Sequence, residues 1–335
     1  MPFALPSRMP ALTDFMNARK AWMTWKNWLL LGLLSLIWGA TFPFAKVAVA
    51  EVPPMTLAFL RVAIAAGVLH AVLRMTGQAF PLSRRMLGAL LLMGLLNNAI
   101  PFSLIFWGQT AIPASLASIL NATTPIFTVL VASLLFSQEV LRAHRVAGIV
   151  IGFAGVALLM APALDFGPLA GFSGAPLWAQ ALCLGAALSY AFAASFARVF
   201  KGVPVMISAA GQLTGSSLLL LPLAIWQAFA WHGEGWSPAA TGPAAWLSVL
   251  ALGTLCTAFA YLIYFRLLSE AGATNASLVT LLIPLSASLI AALVLDEVLT
   301  LPQLGGMALL LLGLAVLDGR ILALPGRLLR AVRAS

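Results

Sequence analysis

The sequence predicts an all-α integral membrane protein with ten transmembrane helices, arranged as two inverted five-helix repeats with both termini cytoplasmic. Composition is the first observation: of 335 residues, 62% are hydrophobic and 8% are charged, whereas soluble domains are about 25% charged. Length is the second, because apolar runs of about 20 residues, enough to cross a hydrocarbon layer of roughly 30 Å, recur along the chain. These runs lack the alternation of a membrane β-barrel, so their backbone groups must be paired within helices.

The span boundaries follow from breaks at proline, glycine and charged residues. The ten predicted spans are 27–49, 54–74, 86–108, 113–136, 144–161, 176–198, 204–229, 243–266, 273–295 and 301–321. The first run lacks a small-residue cleavage site, so we expect it to remain as a span rather than act as a cleaved signal peptide. The chain then divides into a cytoplasmic tail (1–26), a first repeat (27–161), an external linker (162–175), a second repeat (176–321) and a basic cytoplasmic tail (322–335).

Basic residues predict the orientation of these spans. With ten spans, 16 of the 18 Lys and Arg residues fall in the tails and in alternate loops. The opposite loops carry only acidic charges, at Glu51, Asp165, Glu234, Asp296 and Glu297. Because cytoplasmic loops of membrane proteins are enriched in Lys and Arg, this asymmetry predicts cytoplasmic termini in a bacterial-type cytoplasmic (inner) membrane.

An internal repeat relates the two halves at a nearly constant offset. Residues 38–53 align with 189–204 at an offset of 151, and residues 114–118 align with 273–277 at an offset of 159. One acidic residue and two glycines recur at an offset of 158: Glu139, Gly148 and Gly155 match Glu297, Gly306 and Gly313. Since each repeat has an odd number of spans, the second copy is expected to be inverted in the membrane.

These motifs together resemble the EamA-type carriers of the drug/metabolite transporter superfamily, over about residues 28–320. The segment LIWGATF at residues 36–42, followed by Pro53-Pro54 and Leu60-Arg61, resembles the first two helices of that family. The segment NATTP at residues 121–125, followed by the recurring Glu and Gly residues, resembles the end of its repeat. The resemblance implies a secondary carrier, often an exporter of amino acids or other small metabolites, with a central cavity between the repeats.

Two cations lie within predicted spans and require an explanation, because a charge inside a span costs about 2.5–3.5 kcal/mol on insertion scales. Lys46 and Arg61 both lie toward the outer half of the membrane. They are candidates for an external cavity mouth that attracts a carboxylate or another anionic group. In the alternative interpretation Lys46 snorkels to the surface, and backbone carbonyls or Glu51 hold Arg61.

Polar side chains near the middle of the membrane form a second set of substrate-binding candidates. They are Trp38, Asn97, Asn98, Asn121 and Thr124 in the first half, and Tyr190 and Tyr261 in the second. Amides facing lipid are costly, so some of them should face a cavity or other helices, and Pro101 and Pro125 could leave backbone carbonyls free nearby. Ordinary interhelical hydrogen bonding, proline kinks and an interfacial aromatic belt are the alternatives.

Three classes of function compete at this point. A carrier working by alternating access is favoured over a membrane-embedded enzyme such as a lipid-directed transferase, because the acidic residues are scattered and no His/Cys cluster or triad is visible. A channel would require a charged ring or a filter loop.

No cofactor or metal signature is found. The expected partners are a small-molecule substrate and the lipid bilayer, without nucleic acid, for a monomer or weak homodimer. The coupling ion stays open, because no Asp or Glu lies deep in a span.

Overall fold

The computed structural model describes residues 23–77, 83–138, 140–164, 174–233 and 235–319, in which helices are joined by turns and irregular connections and no strand occurs. Within these residues, nine helices are long and apolar enough to cross a membrane. In chain order they are α1 Trp25–Val49, α2 Pro54–Met75, α3 Arg84–Gln109, α4 Ala114–Leu135, α5 Ala143–Ala163, α6 Leu177–Phe200, α7 Val205–Ala230, α8 Pro243–Ala271 and α10 Leu301–Asp318. Between the last two lies the shorter apolar helix α9, Val279–Leu295.

Local sequence signals set most helix boundaries. Pro53, Pro113, Pro176 and Pro204 each occupy the position before a first helical residue, and Thr300 forms a capping box with Gln303 at the start of α10. The spans expected from the sequence therefore match the helices closely. The largest departure lies between α8 and α9. There α8 continues to Gly272, which has a φ of 81°, and the short helix Ala273–Ala276 and a turn precede α9.

The outer surface of the bundle is apolar. Large hydrophobic side chains are exposed along the helices, including Leu218 at 62% and Phe229 at 81% in α7. A soluble protein of this size rarely exposes such continuous apolar surface. The exposed faces therefore suit contact with lipid, as expected for a multi-pass membrane protein.

The helices pack in pairs that join the two halves of the chain. The most extensive contacts are α5 with α10, α2 with α7, α1 with α8 and α9, and α3 with α7. Contacts between helix ends define one end of the bundle, which we call end A: Lys46 donates a hydrogen bond to Gln109, Gly242 to Glu51 and Ala114 to Glu297, and Gly108 lies next to Ala179. The helix ends at α1–α2, α3–α4, α5–α6, α7–α8 and α9–α10 therefore lie at end A. The remaining connections lie at the opposite end, end B.

Glycines allow the closest helix pair to form. A Cβ atom added to Gly148 would lie 2.6 Å from the carbonyl oxygen of Gly313, and one added to Gly155 would lie 2.7 Å from that of Gly306. The glycines of α5, which form a GxxxG pattern at Gly148 and Gly152 and continue at Gly155, thus pack against α10 within the chain.

Two further glycine contacts repeat at the spacing found in the sequence. A Cβ on Gly94 of α3 would collide with the carbonyl oxygen of Gln212 in α7, and a Cβ on Gly253 of α8 would lie 3.3 Å from that of Arg61 in α2. The two glycines are 159 residues apart, and their two partners are 151 residues apart. The same contact therefore occurs once in α3–α7 and once in α8–α2.

The helices α3 and α8 also share a local irregularity. Each contains a π-helical segment, Leu95–Ala99 and Thr254–Phe259, whose starts are 159 residues apart. In α3, Pro101 lacks the N–H that would bond to the carbonyl of Leu96, and the hydroxyl of Ser189 donates to that oxygen at 2.7 Å instead. In α8, Thr257 donates to the carbonyl of Leu252 at 2.7 Å.

Candidate functional site

A cavity of about 560 Å³ lies at the centre of the bundle and is lined by helices of both halves. Seven of the nine substrate-binding candidates line it: Trp38, Arg61, Asn97, Asn121, Thr124, Tyr190 and Tyr261. Lys46 and Asn98 do not line it. The volume falls within the roughly 300–1,000 Å³ that is usual for small-molecule sites in proteins.

The cavity reaches end B of the bundle. Its lining includes Val203 in the turn between α6 and α7, together with Phe200 and Val205, which flank that turn. Toward end A the lining residues, among them Phe42 and Ile105, lie inside helices, and no described residue of an end-A connection lines it. The cavity is therefore a one-sided cleft.

The Arg61 guanidinium sits in an aromatic and hydroxyl environment near the end-A limit of this cavity. Its side chain is 6% exposed, and its Cζ lies 3.9 Å from the centroid of the Phe102 ring, a cation–π distance. Its Nε donates a 2.9 Å hydrogen bond to the hydroxyl oxygen of Thr257. None of the described residues forms an ion pair with Arg61. The alternative in which Glu51 holds Arg61 is wrong, because Glu51 accepts a hydrogen bond from the backbone N–H of Gly242.

A second polar group lies on α3, α7 and α8. Asn97 donates from its side-chain nitrogen to Gln212 Oε1 at 3.1 Å, and Tyr261 of α8 lines the cavity with them. Toward end B the rings of Trp38 and Tyr264 lie 5.4 Å apart between centroids. The cavity wall therefore changes from a cationic group near end A, through amides and hydroxyls, to aromatic rings.

The broken part of α4 supplies Asn121 and Thr124. Pro125 lacks the N–H that would bond to the carbonyl of Asn121, and the hydroxyl of Thr124 donates to that carbonyl at 2.7 Å. Pro101 and Pro125 each leave one carbonyl without a backbone donor. In both cases a side-chain hydroxyl donates a hydrogen bond to that carbonyl instead. The side-chain oxygen of Asn121 has no hydrogen-bond partner among the described residues.

Lys46 lies at end A, outside the cavity. Its Nζ donates to the carbonyl oxygens of Gln109 at 2.8 Å and Ile112 at 2.9 Å, at the C-terminal end of α3. Beside it, the Glu297 carboxylate accepts bonds from the backbone N–H groups of Ala114 and Ser115, at the N-terminus of α4. A cation at a helix C-terminus and an anion at a helix N-terminus both stabilise the α3–α4 connection.

Asn98 follows Asn97 in α3 but does not face the same space. Its side chain is 0% exposed, and neither amide atom has a hydrogen-bond partner among the described residues. Successive helical residues point about 100° apart, so one of two adjacent amides reaches the cavity while the other lies among helices.

Several lining residues were not among the candidates, including Thr41, Met93, Phe102, Cys256 and Phe265. Cys256 lies at the cavity wall with 0% exposure. The repeat offset of 159 could have identified it, because this offset matches Cys256 to Asn97. No cluster of His, Cys, Asp or Glu suited to a metal occurs in the described part of the chain.

Comparisons with known proteins give a consistent family. The model of the EamA-like transporter family matches residues 26–161 and again residues 177–317. An uncharacterized transporter of Archaeoglobus fulgidus is 28% identical, over 87% of this chain and 98% of that protein. The uncharacterized transporter YoaV of Bacillus subtilis is 26% identical, over 85% of this chain and 94% of that protein. The uncharacterized inner membrane transporter YedA of Escherichia coli is 29% identical, over 72% of this chain and 75% of that protein.

A solved crystal structure also resembles this fold. It superposes with a TM-score of 0.60 at 22% sequence identity and covers 88% of this chain and 98% of the other. At this identity the likeness concerns the fold alone.

Proposed function

The chain belongs to the EamA-like transporter family, and on that premise we propose that it is a secondary carrier that exports small organic metabolites, such as amino acids, by alternating access around the central cavity. One observation carries the proposal: the cavity lies between helices of both halves, reaches end B and has no lining from the end-A connections described. A one-sided cleft at the interface of two repeats is the arrangement that alternating access requires.

We further propose that residues 27–161 and 176–321 are two inverted repeats. The equivalent contacts of Gly94 with Gln212 and of Gly253 with Arg61 support this division, because they recur at the sequence offsets. The basic loop asymmetry supports the orientation, with end B and both termini cytoplasmic. In this orientation the cleft faces the cytoplasm, the side from which an exporter takes up its substrate.

Polar contacts across helices would hold end A closed in this state. Lys46 and Glu297 tie α1 and the α9–α10 connection to the α3–α4 connection. Gln227 of α7 accepts a bond from the backbone N–H of Met55 in α2 at 2.7 Å. Opening end A would exchange these bonds for bonds to water, which costs little free energy per bond.

The proposed setting is a bacterial-type inner membrane. A relative carries the words inner membrane transporter in its name, and the apolar outer surface suits lipid. Because a single chain encloses the cavity, we propose that a monomer or weak homodimer is sufficient, with a small-molecule substrate and the bilayer as its partners.

Counterflow in proteoliposomes tests the proposal. The purified full chain is reconstituted with a pooled, labelled metabolite panel, and uptake against an internal unlabelled pool is measured by mass spectrometry. A secondary carrier should exchange a subset of the panel above the level of protein-free liposomes. Exchange of nothing in the panel, or equal passage of all solutes as in an open pore, would contradict the proposal.

A further inference from the structure

We propose that the cavity selects its solutes by charge, and that its substrates are organic monoanions with an uncharged, partly apolar body. The anionic group would bind Arg61 near end A, and the body would extend toward end B. This inference rests on the proposed carrier function and, among small organic metabolites, ranks acids that lack an ammonium group above free amino acids.

The charges on the cavity wall provide the first argument. Among the described residues that line the cavity, Arg61 is the one with a formal charge, and none is an Asp or Glu. A cationic or zwitterionic solute would bring an ammonium into this space without a carboxylate to pair with it. Removing an ammonium from water without a paired anion is costly, so such solutes should bind less well than a monoanion.

The geometry of the guanidinium provides the second argument. Phe102 covers one face of the group, and the bond from Nε to Thr257 fixes its plane. No described residue accepts a hydrogen bond from the two terminal nitrogens. Those nitrogens form the edge that binds a carboxylate through two parallel hydrogen bonds. A fixed and nearly buried cation without a protein anion is costly, and a bound anion would offset that cost.

The remaining wall indicates the body of the solute. On the end-B side of Arg61, the cavity is lined by the rings of Trp38, Tyr261, Tyr264 and Phe265. Amphipathic rings contact apolar or aromatic groups while their polar atoms bond to scattered acceptors or donors. An uncharged body carrying a ring or branched chain would therefore be accommodated between Arg61 and end B.

Three probes with the same aromatic side chain test this selection at pH 6: N-acetylphenylalanine, phenylalanine and phenylalanine amide. At that pH they are an anion, a zwitterion and predominantly a cation, because an α-amino group of this kind titrates at roughly 7.7–8.0. Binding is read as the rise in thermal midpoint of the purified full chain, and transport as counterflow in proteoliposomes. We expect N-acetylphenylalanine to raise the midpoint and to exchange. We expect phenylalanine to require an about tenfold higher concentration for the same rise in midpoint, and the amide to produce no rise. N-acetylleucine serves as a second monoanion without an aromatic ring.

Variants link the selection to this cavity. Arg61→Gln should raise the half-saturating concentration of the acetylated acids about tenfold or more. Asn97→Asp is an isosteric change that adds a carboxylate to the cavity wall, and it should also weaken the binding of the acetylated acids. It provides the test if Arg61→Gln is not recovered folded. Arg266→Gln is the matched control, because that arginine is 66% exposed and pairs with Glu270 in its own helix.

The outcomes separate the two proposals. The selection is overturned if the amide or phenylalanine binds as well as the acids, if neither acid raises the midpoint, or if both variants respond like the wild type. Binding of the acids with no counterflow would contradict the carrier function and leave the charge selection standing. Counterflow of the amide would support the carrier function and contradict the charge selection.

Discussion

The guanidinium of Arg61 in α2 is held by Thr257 in α8, whose hydroxyl oxygen accepts a 2.9 Å hydrogen bond from Nε. The repeat offsets match Arg61 to Gln212 and Thr257 to Asn98. Gln212 is indeed hydrogen-bonded to α3, but to Asn97, one residue before the expected partner. The two halves thus place a polar pair at equivalent positions, and one of the two pairs carries a charge.

Thr257→Val should weaken solute binding and also lower the thermal midpoint, because the hydroxyl both accepts from Arg61 Nε and donates to the Leu252 carbonyl. Valine has nearly the same shape as threonine but cannot accept the bond from Nε, so the guanidinium loses its fixed plane. We expect the half-saturation of counterflow to rise about tenfold, whereas Thr257→Ser, which keeps the hydroxyl, should restore it. Equal half-saturation in Thr257→Val and the wild type would show that this bond does not position Arg61.

Asn97→Leu and Asn121→Leu should impair transport more than they reduce protein yield. Both amides line the cavity, and Asn97 donates a hydrogen bond to Gln212 in α7. The adjacent Asn98 gives a matched control: its amide atoms are buried without partners, so Asn98→Leu should leave the thermal midpoint unchanged or raise it, and should retain transport. Normal transport by both cavity variants would place the substrate site elsewhere.

Gly155→Ala should destabilise the bundle, because a Cβ there would lie 2.7 Å from the carbonyl oxygen of Gly306 in α10. Overpacking of this kind typically costs about 1–3 kcal/mol and should lower the thermal midpoint in detergent. Gly32→Ala is the control, since a Cβ at Gly32 has no atom within 4 Å. A midpoint that falls equally in both variants would argue against close α5–α10 packing.

Single-cysteine labelling tests the orientation. In a background with Cys183 and Cys256 replaced by Ser, a cysteine at Ser237 near end A should react with an impermeant thiol reagent applied outside. One at Lys201 near end B should react only after the membrane is opened. Both side chains are exposed, so access to the reagent is limited by the membrane. Labelling of both positions from the same side would refute the ten-span arrangement.

The sequence predicted the helices well because their limits depend on local physics. Span length follows from the bilayer, and prolines mark the starts of helices such as α2 and α6. The bond between Arg61 and Thr257 could not be predicted, because it joins residues 196 apart and depends on how two helices rotate. The position of Lys46 could not be predicted for the same reason. The free-energy cost of a charge in a span is similar for Lys46 and Arg61, but Lys46 lies at end A, where the carbonyls of Gln109 and Ile112 accept its hydrogen bonds.

The most direct test of the central claim is site-directed protection of the cavity during transport. Thr280 lines the cavity near the start of α9, and its hydroxyl is exposed where it donates to the Ser277 carbonyl, so Thr280→Cys in the cysteine-free background places an accessible thiol on the wall. The rate of its modification is measured from the cytoplasmic side, with and without a solute that the protein exchanges. The carrier model predicts that the thiol is modified, that a solute which the protein exchanges slows the modification, and that a solute which it does not exchange leaves the rate unchanged. A thiol that never reacts from that side, or one modified at the same rate while solute is exchanged, would contradict the model.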